Sequence, residues 1–281
     1  MPELPEVETV VRGLRPHLVG RRIRSARLFS RAVCDFEAGR LRGARVTAVD
    51  RRGKHVLLHL TRGRSRPTLA IHLGMTGQLL LSCPRQPRDK HTHLVLRLTD
   101  LHQELRFRDL RRLGAACLYG SPLDLEVGLL SRLGPEANSI TVAQLAPILR
   151  RSSRPLKPLL MDQGKLAGLG NIYTDESLWR ARLHPLHPAD SLSPAEVRAL
   201  ARAIRSVLRE AIRDRGSSVD NFVAPDGSLG RYQKRHAVYQ RQGEACPRCR
   251  SPIERIRLQG RGTHFCPRCQ RAPRTGVGHA A

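Results

Sequence analysis

Four cysteines near the C-terminus are spaced for metal binding. The pairs Cys246-x2-Cys249 and Cys266-x2-Cys269, sixteen residues apart, place two thiolates on each of two tight turns, and four sulfurs suit tetrahedral zinc. Four protein ligands close the coordination shell. One structural Zn2+ per chain is therefore expected to shape a small β-hairpin, with no open position for activating water. Arg255, Arg257 and Arg261 lie between the pairs and can be presented to phosphates. The other chemically suggestive segment is the N-terminus, MPELPEV. Pro2 is small and permits removal of Met1, which exposes a secondary amine. An α-amino group has an ordinary pKa of about 8, so some of it is neutral at neutral pH and can attack a sugar aldehyde carbon to form an iminium. Glu3 and Glu6 stand beside it. A second reading of this segment alone also stands, in which Pro2 is a tolerated residue and the acids complement a helix N-terminus.

These groups sit on a strongly basic chain. Among 281 residues, 50 are Lys or Arg and 24 Asp or Glu, a formal net charge of +26. A polyanion is the partner that most reduces such self-repulsion, and nucleic acid leads over an anionic membrane. No basic stretch followed by an apolar core opens the chain, and no run approaches the ~20 apolar residues of a membrane span. A soluble cytoplasmic protein is expected, without membrane attachment. Cys34, Cys83 and Cys117 share no ligand spacing and are assigned no function. A zinc ribbon on a basic chain also suits a transcription factor or a ribosome-associated protein, so these features alone do not establish an enzyme.

The elements that must position these groups follow from periodicity. Val7, Val10, Val11, Leu14 and Leu18 share one helical face, which predicts a helix over 5–19 with Pro5 in its first turn. From about 22 to 119, short apolar runs such as HVLLHL, TLAIHLGM and HTHLVLRL alternate with Gly, Pro and basic clusters, which predicts a β-sandwich. Helical spacing then takes over. Ser193-Pro194-Ala195-Glu196 is a capping box ahead of a long apolar stripe that Gly216 ends. The turn-rich stretch 216–232 is long enough to be a functional loop. The segment after Cys269, QRAPRTGVGHAA, reads as a partly disordered basic tail.

MPELPEVET, RRGKHVLLHL, HLGMTG, KPLLMDQ, GLGNIYTDE, HAVY and GRGTHFCPRCQ occur in that order along nearly the whole chain. Together they resemble the successive motifs of the bacterial formamidopyrimidine-DNA glycosylase family. The resemblance implies an α+β multidomain fold: an N-terminal helix plus β-sandwich over 1–132, a helical helix-two-turn-helix module with a lesion-recognition loop over 133–232, and a zinc-finger β-hairpin with basic tail over 233–281, with DNA in the cleft between. It also implies a monomeric, bifunctional enzyme of base excision repair. Such an enzyme flips an oxidised purine out of damaged double-stranded DNA, excises it and cuts the strand.

Carried onto matching positions, the resemblance makes Pro2 the nucleophile and Glu3 the proton-transfer partner, with Glu6 in support and Lys54 and Arg261 assisting. His91, Lys157 and Asn171 match DNA or phosphate contacts; Asn171 also opens a helix after Gly168 and Gly170, where a side chain and free N–H groups can hold a phosphate. Met75 and Arg111 match residues that fill the hole left by an extruded base. Leu113 stands where the family usually has Phe, so that wedge is aliphatic. Ser152 replaces a basic phosphate contact of some members, with Arg151 and Arg154 as neighbouring substitutes. Two alternatives remain at this stage: an endonuclease VIII-like glycosylase for oxidised pyrimidines, against which LPEV in MPELPEVET argues, and a zinc-ribbon damaged-DNA-binding protein without catalysis.

Overall fold

The computed structural model describes residues 1–219 and 221–273; most of the expected basic tail, and Asp220 in the 216–232 loop, lie outside the described residues. The predicted first helix is α1, Leu4–Leu18, with Glu3 as N-cap and Pro5 in its first turn. The Glu6 carboxylate reaches back to accept the Glu3 N–H at 2.8 Å, the reciprocal arrangement that satisfies donors a helix start leaves open. Val7, Val10, Val11, Leu14 and Leu18 are fully buried. They pack on β3 (Arg45–Arg52) and β4 (His55–Thr61).

The β region forms the sandwich that the alternation predicts. One sheet runs β1 (Ile23–Leu28), β7 (Thr92–Leu98), β8 (Glu104–Asp109), β6 (Gly77–Ser82), antiparallel throughout. The other runs β2 (Cys34–Asp35), β9 (Ala115–Tyr119), β5 (Thr68–His72), β4, β3. Ile23, Leu58, Leu69, Ile71, Leu79 and Phe107 share its core with the α1 face; each contributes roughly 1.5–3 kcal/mol by leaving water. Two elements escaped the sequence reading. β2 is two residues long and parallel to β9, and α2 (Pro122–Gly128) is capped by Ser121 Oγ, which accepts the Asp124 N–H at 3.1 Å.

Packing divides the chain into two compact units, Met1–Leu133 with Glu210–Lys234, and Gly134–Arg209 with the segment from Arg235 onward. The 216–232 loop thus belongs with the sandwich: Phe222 enters the sandwich core, and the Pro225 carbonyl accepts the Leu81 N–H. The second unit contains α3 (Val142–Arg150), α4 (Leu156–Leu160) and α5 (Asn171–Ala181). The predicted Ser193 capping box opens α6, Pro194–Arg213, with the Ser193 N–H donating to Glu196 at 2.8 Å. A final hairpin pairs β10 (Glu254–Leu258) with β11 (Arg261–Phe265). Gln259 and Gly260 join them, both at positive φ (46° and 77°), as a two-residue type I′ turn requires. Among the described residues no helix is long and apolar enough to cross a membrane.

Candidate active site and nucleic-acid interface

In the first unit, Pro2, Glu3 and Glu6 are all buried. Glu6 links two segments: one oxygen takes the Glu3 N–H, and the other accepts the Ser217 N–H at 2.7 Å. That fixes the chain around Pro2 against the start of the 216–232 loop. Gly216 permits the approach, because it sits at φ +78° and a Cβ there would lie 2.6 Å from Glu6 Oε1.

Lys54 follows Gly53, at φ 56°, in the turn between β3 and β4 and is buried. The β4–β5 register places His55 opposite His72, with ring centroids 4.8 Å apart. Burial, then the neighbouring His55 and Lys54 charges, push the His72 pKa down to about 4. Its imidazole is therefore neutral near pH 7, and its Nδ1 accepts the Gly74 N–H at 3.2 Å. His72 is a site neighbour that the sequence reading missed. Its only signal was a polar residue ending the apolar run TLAIH, and the pairing register was needed to place it beside Lys54.

Met75, Arg111 and Leu113 come together on adjacent turns. Met75 is 41% and Leu113 50% exposed, and Arg111 Nη1 lies 3.5 Å from Met75 Sδ. His91, partly exposed, precedes β7, and its N–H is held by Asp89 at 2.8 Å. His93 is buried, with Nε2 on the Asp109 carbonyl at 2.8 Å, and serves the sheet.

In the second unit, the four cysteine sulfurs lie within 4.8 Å of one another. An all-thiolate set of this compactness fits a tetrahedral zinc ion, which Cys246, Cys249, Cys266 and Cys269 would hold. The Ser251 N–H lowers the Cys249 thiol to about 6, while burial raises Cys266 to about 12; a bound cation favours the thiolate at both. Arg261 begins β11 and is exposed. Asn171 is the first residue of α5, after Gly170, and its Oδ1 has no protein partner among the described residues. It shares a cavity of about 420 Å³ with Tyr239, Arg255, Gly262 and His264. Arg255 in the same lining gives that cavity a positive charge.

Lys157, expected at a phosphate, is 1% exposed, and its Nζ lies 2.7 Å from Asp175 Oδ1 and 3.0 Å from the Gly262 carbonyl. Asp175, itself fully buried on α5, also accepts the His264 N–H at 2.9 Å. The lysine thus ties the zinc hairpin to α5 from inside, and its charge is neutralised there. Glu176, the next residue, accepts the N–H groups of Ala237, Val238 and Tyr239. Lys157→Met leaves Asp175 buried without its cation, which costs about 3–5 kcal/mol; a thermal or denaturant melt measures this, and a change under 1 kcal/mol contradicts the structural role. Arg154, one expected substitute for the basic group absent at Ser152, has its guanidinium 3.1 Å from Asp162.

The comparisons with known proteins cover the same ground. Residues 1–116 match the formamidopyrimidine-DNA glycosylase N-terminal domain, 133–223 its H2TH domain, and 243–272 the zinc finger found in FPG and IleRS. The formamidopyrimidine-DNA glycosylase of Roseiflexus sp. (strain RS-1) is 44% identical over 277 residues, covering 96% of this chain and 100% of that one. The crystal structure of the FPG protein from Thermus thermophilus superposes with a TM-score of 0.86 at 44% identity, covering 96% and 98% of the two chains. The Lactococcus lactis Fpg in complex with abasic-site-containing DNA gives 0.88 at 35% identity, covering 96% and 100%. Three domain matches in order and identity at this level over nearly the full length place the chain in the formamidopyrimidine-DNA glycosylase family.

Proposed function

We propose that this protein is a bifunctional DNA glycosylase and abasic-site lyase of base excision repair, acting as a monomer on oxidised purines in double-stranded DNA. The observation that carries this reading is the N-terminal segment of a family member: Pro2 next to Glu3, buried, and locked by Glu6. Once Met1 is removed, the Pro2 amine attacks C1′ and the bond from C1′ to the base breaks, the base leaving with the electron pair and a proton. Glu3 transfers a proton as the sugar ring opens to the iminium. The iminium acidifies the C2′ protons, so loss of one breaks the 3′ C–O bond, and a second elimination breaks the 5′ C–O bond. A one-nucleoside gap remains.

Lys54, His91, Asn171 and Arg261 contact the DNA backbone in this reading, and Met75, Arg111 and Leu113 fill the space of the extruded base. Zinc supplies no step; when bound, it cross-links the hairpin that bears Arg261. The site of action is the bacterial cytoplasm, at the nucleoid. The Lactococcus lactis Fpg complexes with Fapy-dG-containing and abasic-site-containing DNA support the substrate class.

The test compares duplexes carrying 8-oxoguanine or an oxidised pyrimidine. The proposed function predicts preferential cleavage of the 8-oxoguanine duplex with phosphates on both sides of the gap. Preference for the pyrimidine favours the endonuclease VIII-like reading, and tight binding without nicking favours a non-catalytic one.

Leu113 sets a second expectation. Leucine can separate base steps but has no π face, and aromatic stacking contributes about 0.5–1.5 kcal/mol beyond buried area. Leu113→Phe should therefore accelerate lesion capture by up to roughly 10-fold in single-turnover excision at matched salt. An unchanged rate means that leucine carries no such disadvantage.

A further inference from the structure

The two turns that bear the exposed apolar tips converge on one buried carboxylate. Asp109, the last residue of β8, is fully buried. Its Oδ1 accepts the Thr76 hydroxyl at 2.5 Å and lies 3.3 Å from the Arg111 nitrogen, while Oδ2 accepts the Gly114 N–H at 2.7 Å. The Thr76 hydroxyl in turn accepts the Arg111 N–H at 3.0 Å. One acidic group thus closes the 109–114 turn on itself and fastens it to the 73–77 turn.

Backbone packing reinforces the junction. A Cβ on Gly74, which sits at φ +62°, would lie 2.5 Å from the Gly114 nitrogen and the Leu113 carbonyl carbon; a Cβ on Gly114 would lie 2.7 Å from the His72 carbonyl oxygen. The turns therefore touch main chain to main chain, with no side chain between them to act as a compliant spacer. Above this base stand three large apolar residues, Met75 at 41%, Leu110 at 48% and Leu113 at 50% exposure. A rigid, hydrogen-bonded platform that leaves about half of each of these apolar side chains in water fits a surface made ready to enter an apolar space.

We infer that Asp109 is a positioning residue for base extrusion, holding Met75, Leu110, Arg111 and Leu113 as a single preformed wedge. The inference rests on the reading above that Met75, Arg111 and Leu113 replace the extruded base. Its consequence is selective. A lesion that must be drawn out of a stacked pair needs the wedge in place, whereas an abasic site has no base to unstack.

The test measures two single-turnover rates for each variant: excision of 8-oxoguanine paired with cytosine, and cleavage of a duplex with a preformed abasic site. Asp109→Asn and Thr76→Val should each lower the first by about 10- to 100-fold, the scale of an ångström-level misplacement, and leave the second near wild type. Thr76→Ser, which keeps the hydroxyl, should restore excision. Parallel loss of both rates, unchanged excision in Asp109→Asn and Thr76→Val, or failure of serine to rescue would overturn the inference. If Asp109→Asn does not fold, the Thr76 pair decides. Met75→Ala separates the two levels: undiminished excision there removes the wedge reading itself, whereas diminished excision with intact Thr76→Val removes only the role of Asp109.

Discussion

Serine in place of any one of Cys246, Cys249, Cys266 or Cys269 lowers binding to damaged duplex DNA and strand cleavage together. The zinc module has only a small apolar core of its own. Its apolar cluster is Val238, Ile253 and the cysteines themselves, with Trp179 packed against them, too small a core to offset the chain entropy of ordering the segment. In small zinc domains the metal supplies about 10–16 kcal/mol of apparent binding energy that is also folding energy. Without it the β10–β11 hairpin loses its frame, and with it the fixed placement of Arg255, Arg257 and Arg261. Fluorescence anisotropy at fixed salt, with zinc content measured on the same sample, checks this. Normal DNA binding after verified zinc loss contradicts it.

Glu3→Gln should separate the two halves of the reaction. Amide and carboxylate have nearly the same shape, so the buried position at the start of α1 is kept while the proton-transfer group is lost. General acid–base assistance is worth about 10²–10⁴-fold, and base excision is expected to fall by that much. A preformed abasic site has no base to expel and already exists partly as the open aldehyde, so its cleavage should fall far less. Excision and abasic-site cleavage assayed side by side report the split. Equal losses at both substrates contradict proton transfer during ring opening as the role of Glu3.

What the sequence made legible was local. The cysteine spacing announced the hairpin, the Ser193–Glu196 box announced α6, and five apolar residues at helical spacing announced α1. The failures were of two kinds. β2 is too short to show a period, while α2 did carry a cap signal in Ser121-Pro122 that went unused. The others depend on partners distant in sequence. Nothing in KPLLMDQ says that Lys157 is buried, because its counter-charge, Asp175, is eighteen residues away on another helix. Two adjacent acids, Asp175 and Glu176, in a helix buried from Ile172 to Leu178 were the available hint, since acids without a solvent face must have partners. His72 and Asp109 likewise became visible only when strand register set them beside Lys54 and Thr76. Sequence motifs exposed the segments with recognisable spacing more readily than the buried partners that hold them in place.

The central claim, that the Pro2 amine forms a covalent iminium with C1′, has a direct test. The protein is incubated with an 8-oxoguanine duplex and borohydride, which reduces an iminium to a stable amine, and the products are resolved by denaturing electrophoresis and intact mass. The account predicts a protein–DNA adduct whose mass lacks Met1 and whose linkage, mapped by peptide sequencing, lies on the Pro2 nitrogen. Base release without any adduct, or an adduct on another residue, would contradict it.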